Sequence, residues 1–353
     1  MSSGVGTSGS TVGKTVGTGV DAAGGRFAET VGTPFYRLHK PAGLAVLVIT
    51  LLCHGCPTQA IVAAFGLDER TVARWFAGAG LHCQRVHEHL VEQGQVDVRH
   101  VQADELWVKQ VGAKVWMALA LAVPTRLWLG GVISRQRDLP LITRLVQRVR
   151  ACTETSAILV CVDGLASYVT AFLKVFREPI RTGRRGRPRL VLPDGFQLAQ
   201  VVKHSAKRHV VGVTRRVLHG TLAGIEAVLK ATATGTVINT AYIERLTATF
   251  RAHLAPLTRR GRAIARTEAA LAAGMWLVGT AYNVCWPHDS LRLLATPDAP
   301  RKWRERTPAM AAGLADHPWT LNELLRFQIP FPRWGPRKRR GRPPKSPPLG
   351  AAA

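Results

Sequence analysis

The sequence predicts an α/β fold built on a mixed sheet, with a helical module before it and a basic, Pro-rich tail after it. Three observations carry that prediction. Residues 101–176 alternate strand-like and helix-like stretches in the order βββαβα, which reads as a mixed sheet with a crossover helix. Residues 34–100 have helical periodicity, as do residues 239–295. Hydrophobic residues make up 46% of the 353-residue chain, which supports a sizeable core and excludes a mainly disordered chain or a collagen-like fibre.

Residues 1–33 are rich in Gly, Ser, Thr and Val and read as a flexible arm. They lack the basic start and Leu-rich centre of a secretory signal. An apolar run from Ala42 stops at His54 and is too short to span a bilayer, which takes roughly 20 residues. Next, CPTQAIVAAFGLDERTVARWFAGAGLHC (56–83) reads as helix, tight turn, helix. Pro57 suits a helix start, where no N–H is needed. Ala60, Ile61, Ala64 and Phe65 share one face, and Gly66 ends the first helix. Asp68 caps the second helix, with Val72, Trp75 and Phe76 on its buried face. Arg70, Thr71 and Arg74 then point outward. A helix-turn-helix places such residues in the major groove; the alternative is an ordinary helical hairpin. Cys53 and Cys56 have zinc-like spacing, with His82 and Cys83 downstream, but no second pair completes a zinc site, so they read as buried thiols. Six Cys in a chain of this length form no disulfide framework, which fits a reducing cytoplasm.

Strands are expected at 101–110, 115–123 and 127–134, close enough in sequence to form an antiparallel meander. DLPLITRLVQRVRA (138–151) has helical periodicity through Leu139, Ile142, Leu145, Val146 and Val149. AILVCV (157–162) suits a strand buried between layers, and a helix follows from Ala166 to Phe176. Three regions follow the arm: helices at 34–100, an α/β region at 101–295 with a basic insertion at 177–238, and an extension at 296–353 whose tail from Pro330 is expected to be disordered.

The chain carries 48 Lys and Arg against 22 Asp and Glu, a net charge of +26. The surplus is concentrated: +9 in residues 177–216 and +9 in 301–353. Dense cationic blocks point to phosphate contact, so the expected partner is double-stranded DNA rather than a membrane. RTGRRGRPRL (181–190) and RKRRGRPPK (337–345) both contain Arg-Gly-Arg-Pro, which resembles an AT-hook. Arg185, Arg187, Arg340 and Arg342 would then enter the minor groove; the alternative is a solvated basic linker.

Asp104 lies within the first strand and Asp163 just past the fourth. If those strands are neighbours, two carboxylates meet in an apolar sheet, and their repulsion and desolvation call for a divalent cation with a taste for hard oxygen, Mg²⁺ or Mn²⁺. Capping of helices or loops is the competing role. In NTAYIERLTATFRAHLAPLTRRGRA (239–263), Glu244 precedes Arg251, Arg259 and Arg260, and Arg251 sits two turns along the same helical face. Glu244 would complete the cage and the arginines would hold phosphate; a solvated ion pair is the plainer reading. Glu226, in LAGIEAVLK, competes for the third position but lacks trailing arginines. Glu105 follows Asp104 on a strand and should face the other side. Asp138 and Glu154 suit helix termini.

QADELW around Asp104, VCVDGLASY around Asp163 and NTAYIERLTATFR around Glu244 together resemble the catalytic signature of DDE transposases of bacterial insertion sequences, the insertion-sequence-one type more than the retroviral integrase type. AYNVCWPHDSL (281–291) resembles their YNxxRPHxSL block, with Trp286 where Arg is usual. The likeness runs from about Cys56 to Leu291. It implies a ribonuclease H-like fold, two Mg²⁺ ions (or Mn²⁺), Asp104, Asp163 and Glu244 as ligands, and a homo-oligomer synapsing element ends with target DNA near the nucleoid. One departure is the 80 residues between Asp163 and Glu244, longer than in compact members. A structure-specific nuclease on the same fold and a non-catalytic DNA-binding regulator of transposase descent are the rival functions.

Overall fold

The computed structural model describes residues 18–20, 26–28, 30–180, 186–207, 209–258, 264–297 and 300–330. Within the arm, Thr18–Val20 pairs antiparallel with Arg26–Ala28. The rest of residues 1–29 and the tail from 331 lie outside the described residues, so the expectations placed there stand as sequence readings.

Three helices precede the sheet: α1 (Ala42–Cys53), α2 (Thr58–Phe65) and α3 (Glu69–His87). Gly66 ends α2 in the left-handed region at φ 59°, where a side chain would be strained. Two residues later the Asp68 carboxylate accepts the N–H groups of Arg70 and Thr71, satisfying donors that a helix start leaves open. Val72, Trp75, Ala79, Cys83 and Val86 form the buried stripe of α3.

The first three strands are β1 (His100–Gln110), β2 (Ala113–Ala122) and β3 (Leu127–Ser134), an antiparallel meander with short turns. Helix α4 (Leu139–Cys152) crosses back, capped by Asp138, whose carboxylate accepts the Leu141 N–H at 3.0 Å. It delivers β4 (Leu159–Val162), four fully buried residues parallel to β1, and α5 (Ala166–Val175) follows.

The segment 177–238, expected as a basic insertion, supplies two strands of the sheet. β5 (Gln197–Ala206) pairs parallel with β4, and β6 (His209–His219) closes the edge antiparallel to β5. Their valines, mostly in adjacent pairs among charged and polar residues, carry no clean alternating strand pattern. The six-stranded mixed sheet has the order β6-β5-β4-β1-β2-β3. Beyond it, α6 (Leu222–Ala231) packs Ile225 and Leu229 against Cys161 and Val201, and α7 (Ala241–His253) and α8 (Glu268–Val284) follow. Two short helices, Pro308–Ala311 and Leu321–Arg326, end the described chain.

Two main cores flank the sheet. On one face α4 and α5 bury Leu145, Val149, Tyr168 and Phe172 against Val101, Ala103 and Val160. On the other, α7 and α8 meet Leu106, Val108 and Trp128 of the strands, and α1–α3 belong to this same core. The helices at 34–100, expected as a separate module, thus share their interior with the sheet. α8 is buried nearly all round because α3 covers its outer side. Among the described residues, no helix is long and apolar enough to cross a membrane.

Two small details lock α8 in place. Asn283 accepts the Trp128 N–H and donates to the Trp128 carbonyl, both at 2.9 Å, where β3 bulges against β2 and loses ladder partners. Gly80 of α3 faces Ala273 of α8 so closely that a Cβ at Gly80 would lie 2.4 Å from the Ala273 Cα. The Ala273 backbone and methyl group can seat this closely only because Gly80 carries no Cβ. Gly80→Ala should therefore destabilise the whole chain by about 1–3 kcal/mol. In chemical denaturation it should lower a single cooperative transition. Separate melting of an N-terminal unit, with the rest unchanged, would contradict the shared core.

Candidate metal centre

Strand register brings the first two acids together. β1 and β4 run parallel with Ala103 opposite Val162, one residue before each aspartate. Asp104 and Asp163 therefore emerge from neighbouring strands at the same level. Asp104 accepts the Glu105 N–H at 2.9 Å, and Asp163 accepts the Leu165 N–H at 3.0 Å, which fixes both carboxylates.

The third element is placed by Gln102, which lies two residues before Asp104 and so on the same face of β1. Its side-chain oxygen accepts the N–H groups of Tyr242 and Ile243, at 3.1 and 3.0 Å, in the first turn of α7. Its amide donates to the Asn239 carbonyl at 2.8 Å. These are open donors of a helix start, and a buried amide satisfies them. Glu244 is in that first turn. Thr240 donates to its carboxylate at 2.7 Å, and Lys203 of β5 forms an ion pair with it. Asp104, Asp163, Glu244, Lys203 and Thr240 line one cavity of about 340 Å³. Glu226 sits exposed on α6 and does not line it.

Glu105 departs partly from expectation. Its side chain leaves the opposite face of β1, where the Tyr168 hydroxyl donates to it at 2.8 Å. Yet Arg137 binds both the Glu105 carboxylate and, at 3.6 Å, that of Asp163, drawing the two together. One ligand oxygen each from Asp104, Glu105 and Asp163 lies within 4.8 Å of the others, and these three can hold a metal ion. The Glu105 side chain is only 1% exposed, whereas those of Asp163 and Glu244 are 35% and 46% exposed and open to the cavity.

The electrostatics fit a hard divalent cation. Burial, then the charges of Glu105 and Asp163, push the Asp104 carboxyl up to about 7. Burial and Asp163 likewise raise Glu105, with Tyr168 and Arg137 pulling the other way. Crowded, partly desolvated carboxylates of this kind are relieved by a cation with oxygen preference.

The remaining sequence candidates divide as follows. Arg70 and Arg74 are exposed on the outer side of α3 and Thr71 is half-buried beside them. Arg187 is exposed between β4 and β5, and Arg251 is half-buried in the last turn of α7. Arg185, Arg259, Arg260, Arg340 and Arg342 lie outside the described residues. Cys53 and Cys83 are buried in the core shared by α1, α3 and α8, and burial raises both thiols. Trp286, in place of the usual Arg, stacks on His253 at 4.2 Å and His54 at 5.5 Å. Sequence reasoning missed Gln102, Arg137 and Lys203; the first sits in the QADELW block, but nothing in its type marks it out. The sequence matches no family model and no curated protein.

A raised carboxyl has a definite stability signature. Without metal, the folded chain holds the Asp104 proton more tightly than the unfolded chain, so this residue's contribution is greatest below about pH 4 and is lost as pH rises to about 7. Buried His87 and His100, each pushed down to about 3 by burial, act in the opposite sense over an overlapping range. The difference between wild type and Asp104→Asn cancels them. In EDTA at pH 8 the variant should melt at least roughly 2 °C higher than wild type, and at pH 4 the gap should close. Mg²⁺ or Mn²⁺ should raise the wild-type melting temperature and leave that of the variant nearly unchanged.

Proposed function

We propose that the chain is a metal-dependent phosphoryl-transfer enzyme acting on DNA, built on a ribonuclease H-like scaffold. Within that class we assign it to the DDE transposases of bacterial insertion sequences, of the insertion-sequence-one type. The observation that carries the reading is the convergence of Asp104, Asp163 and Glu244 on one cavity from two adjacent parallel strands and the helix that Gln102 pins across them. The motif blocks around these three acids supply the narrower assignment.

In the first step water attacks the phosphorus at the element end, a P–O bond forms, and the P–O3′ bond breaks to release a 3′-hydroxyl. In the second, that hydroxyl attacks a phosphorus of target DNA and displaces a target 3′-oxygen. Asp104, Asp163 and Glu244 would hold divalent ions, which supply charge stabilisation for the attacking and leaving oxygens. Asp104 gives up its proton as it takes on that role. Arg137 braces Asp163 from behind, so its carboxylate stays aimed at the cavity. Lys203 holds Glu244 until DNA arrives and then has a phosphate oxygen within reach of its ammonium group. The exposed Arg70 and Arg74, with Thr71, suit a recognition helix for terminal repeats, and Arg187 suits contact with flanking DNA.

Purified protein with Mg²⁺ should nick and join supercoiled plasmid DNA carrying element ends. Asp163→Asn and Glu244→Gln should each lower joining at least roughly a hundredfold, while Glu226→Gln stays within about threefold of wild type. Cleavage without joining would instead favour a nuclease, and joining that survives Asp163→Asn would remove that residue from the site. Arg70→Ala, measured by salt-dependent binding to the element end, should weaken binding. If Arg70 contacts phosphate, the salt slope falls by about one; if it contacts a base edge, preference for the end falls instead.

A further inference from the structure

Beyond α8 the chain forms a small exposed hairpin. Leu293–Leu294 pairs antiparallel with Trp303–Arg304, placing Leu294 opposite Trp303, and the Ala295 N–H donates to the Lys302 carbonyl at 3.0 Å. The facing wall runs from Pro287 to Arg292. The His288 N–H donates to the Arg306 carbonyl at 3.0 Å and ties the two walls together. Between them is a cavity of about 590 Å³ lined by Arg292, Arg301, Lys302 and Trp303. Two acids, Asp289 and Glu305, also reach it, and Glu305 is paired with Arg301 at 3.8 Å.

Trp303 differs from the core tryptophans. Trp128 is fully buried, whereas Trp303 is 39% exposed, with the Arg292 guanidinium 4.4 Å from its ring centroid and the Lys302 ammonium 5.8 Å away. Leu294, its cross-strand neighbour, is also exposed. An open aromatic plane ringed by cations matches a ligand with both a flat π face and negative charge. The cavity has the size of a small-molecule pocket and would admit one or two nucleotides; a duplex, whose major groove alone is about 12 Å wide, does not enter.

The hairpin is also linked to the acidic cavity. His288 stands edge-on to Tyr282 at 4.7 Å and lies within the field of Arg245 and Arg126. Arg245 follows Glu244 directly on α7, and the Arg126 guanidinium lies 4.0 Å over the Tyr242 ring. His288 thus lies between the hairpin cavity and the cations that flank the start of α7. We propose that this cavity binds an unpaired nucleotide of the DNA strand leaving the acidic site, with the base stacked on Trp303 and its phosphates held by Arg292, Arg301 and Lys302. The inference rests on DNA being the substrate, but not on any chemistry being performed.

The test compares a short blunt duplex with the same duplex carrying a few-nucleotide 3′ overhang, with 2-aminopurine in the overhang, in EDTA so that no reaction occurs. Wild type should bind the overhang form about tenfold more tightly than the blunt form and quench the 2-aminopurine. Trp303→Ala should lose both effects while keeping blunt-duplex affinity and its melting temperature. Trp303→Phe should keep most of the preference, Arg292→Ala should fall between, and Glu226→Gln, at a residue lining neither cavity, should behave as wild type. The proposal is overturned if Trp303→Ala keeps the wild-type ratio and quench, or if wild type shows neither. It is equally overturned if the substitution alters only self-association in sedimentation, which would make the hairpin a protein contact. Failure of the wild-type protein to join plasmid DNA, with the overhang preference intact, would instead remove the transposase reading and leave this site standing.

Discussion

The whole acidic site depends on one buried amide. Gln102 sits on the central strand with both ends of its side chain committed to the start of α7. A helix start has open N–H donors and tolerates burial only if something accepts them. Here the acceptor is two residues from Asp104 and on the same strand face, so satisfying the helix and assembling the site are one event. The spacing Gln-Ala-Asp on β1 is thereby coupled to the spacing from Asn239 to Glu244 on α7. Neither segment alone specifies a cavity; the hydrogen bonds between them do.

Around that frame the charges are deliberately unbalanced. Asp104, Glu105 and Asp163 crowd together at the ends of two parallel strands, Arg137 offsets part of their repulsion, and Lys203 pairs with Glu244 across the cavity. Arg137 reaches the cluster from the β3–α4 connection and pairs with the carboxylate least open to solvent. Lys203 reaches the cavity from β5 and pairs with Glu244, the more open carboxylate of α7. The two cations thus divide the work: one stiffens the wall and the other covers the mouth. A buried site of this composition is strained when empty of positive charge, because desolvation penalises each carboxylate and the neighbours add to it.

Much of the sheet was readable in advance. The meander, α4 and β4 follow from apolar periodicity and short turns, and Asp68 and Asp138 cap the helices expected of them. The aspartates are adjacent because a crossover helix makes the first and fourth strands parallel neighbours. β5 and β6 were hidden because their valines come mostly in adjacent pairs among Lys, Arg and His, and β6 buries neither face, so neither strand shows a clear period of two. Gln102, Arg137 and Lys203 were illegible for a different reason: each acts across a long loop in sequence, and a single Gln, Arg or Lys has no local pattern that reports its partner. The reach of Glu105 around β1 was likewise invisible, since strand alternation fixes where a side chain starts and not where a long one ends.

The close seating of Gly80 on Ala273 has a consequence for how distances are measured out. The helix that presents Arg70 and Arg74 is fused along its inner side to α8, and α8 is bolted by Asn283 to β3, the edge strand of the six-stranded sheet. If the proposed function holds, the part that reads and the part that cuts form a fixed caliper rather than two tools on a tether. The number of base pairs between a recognised repeat and its cleavage point would then be written into helix packing, and altering it would require rebuilding a core instead of lengthening a linker.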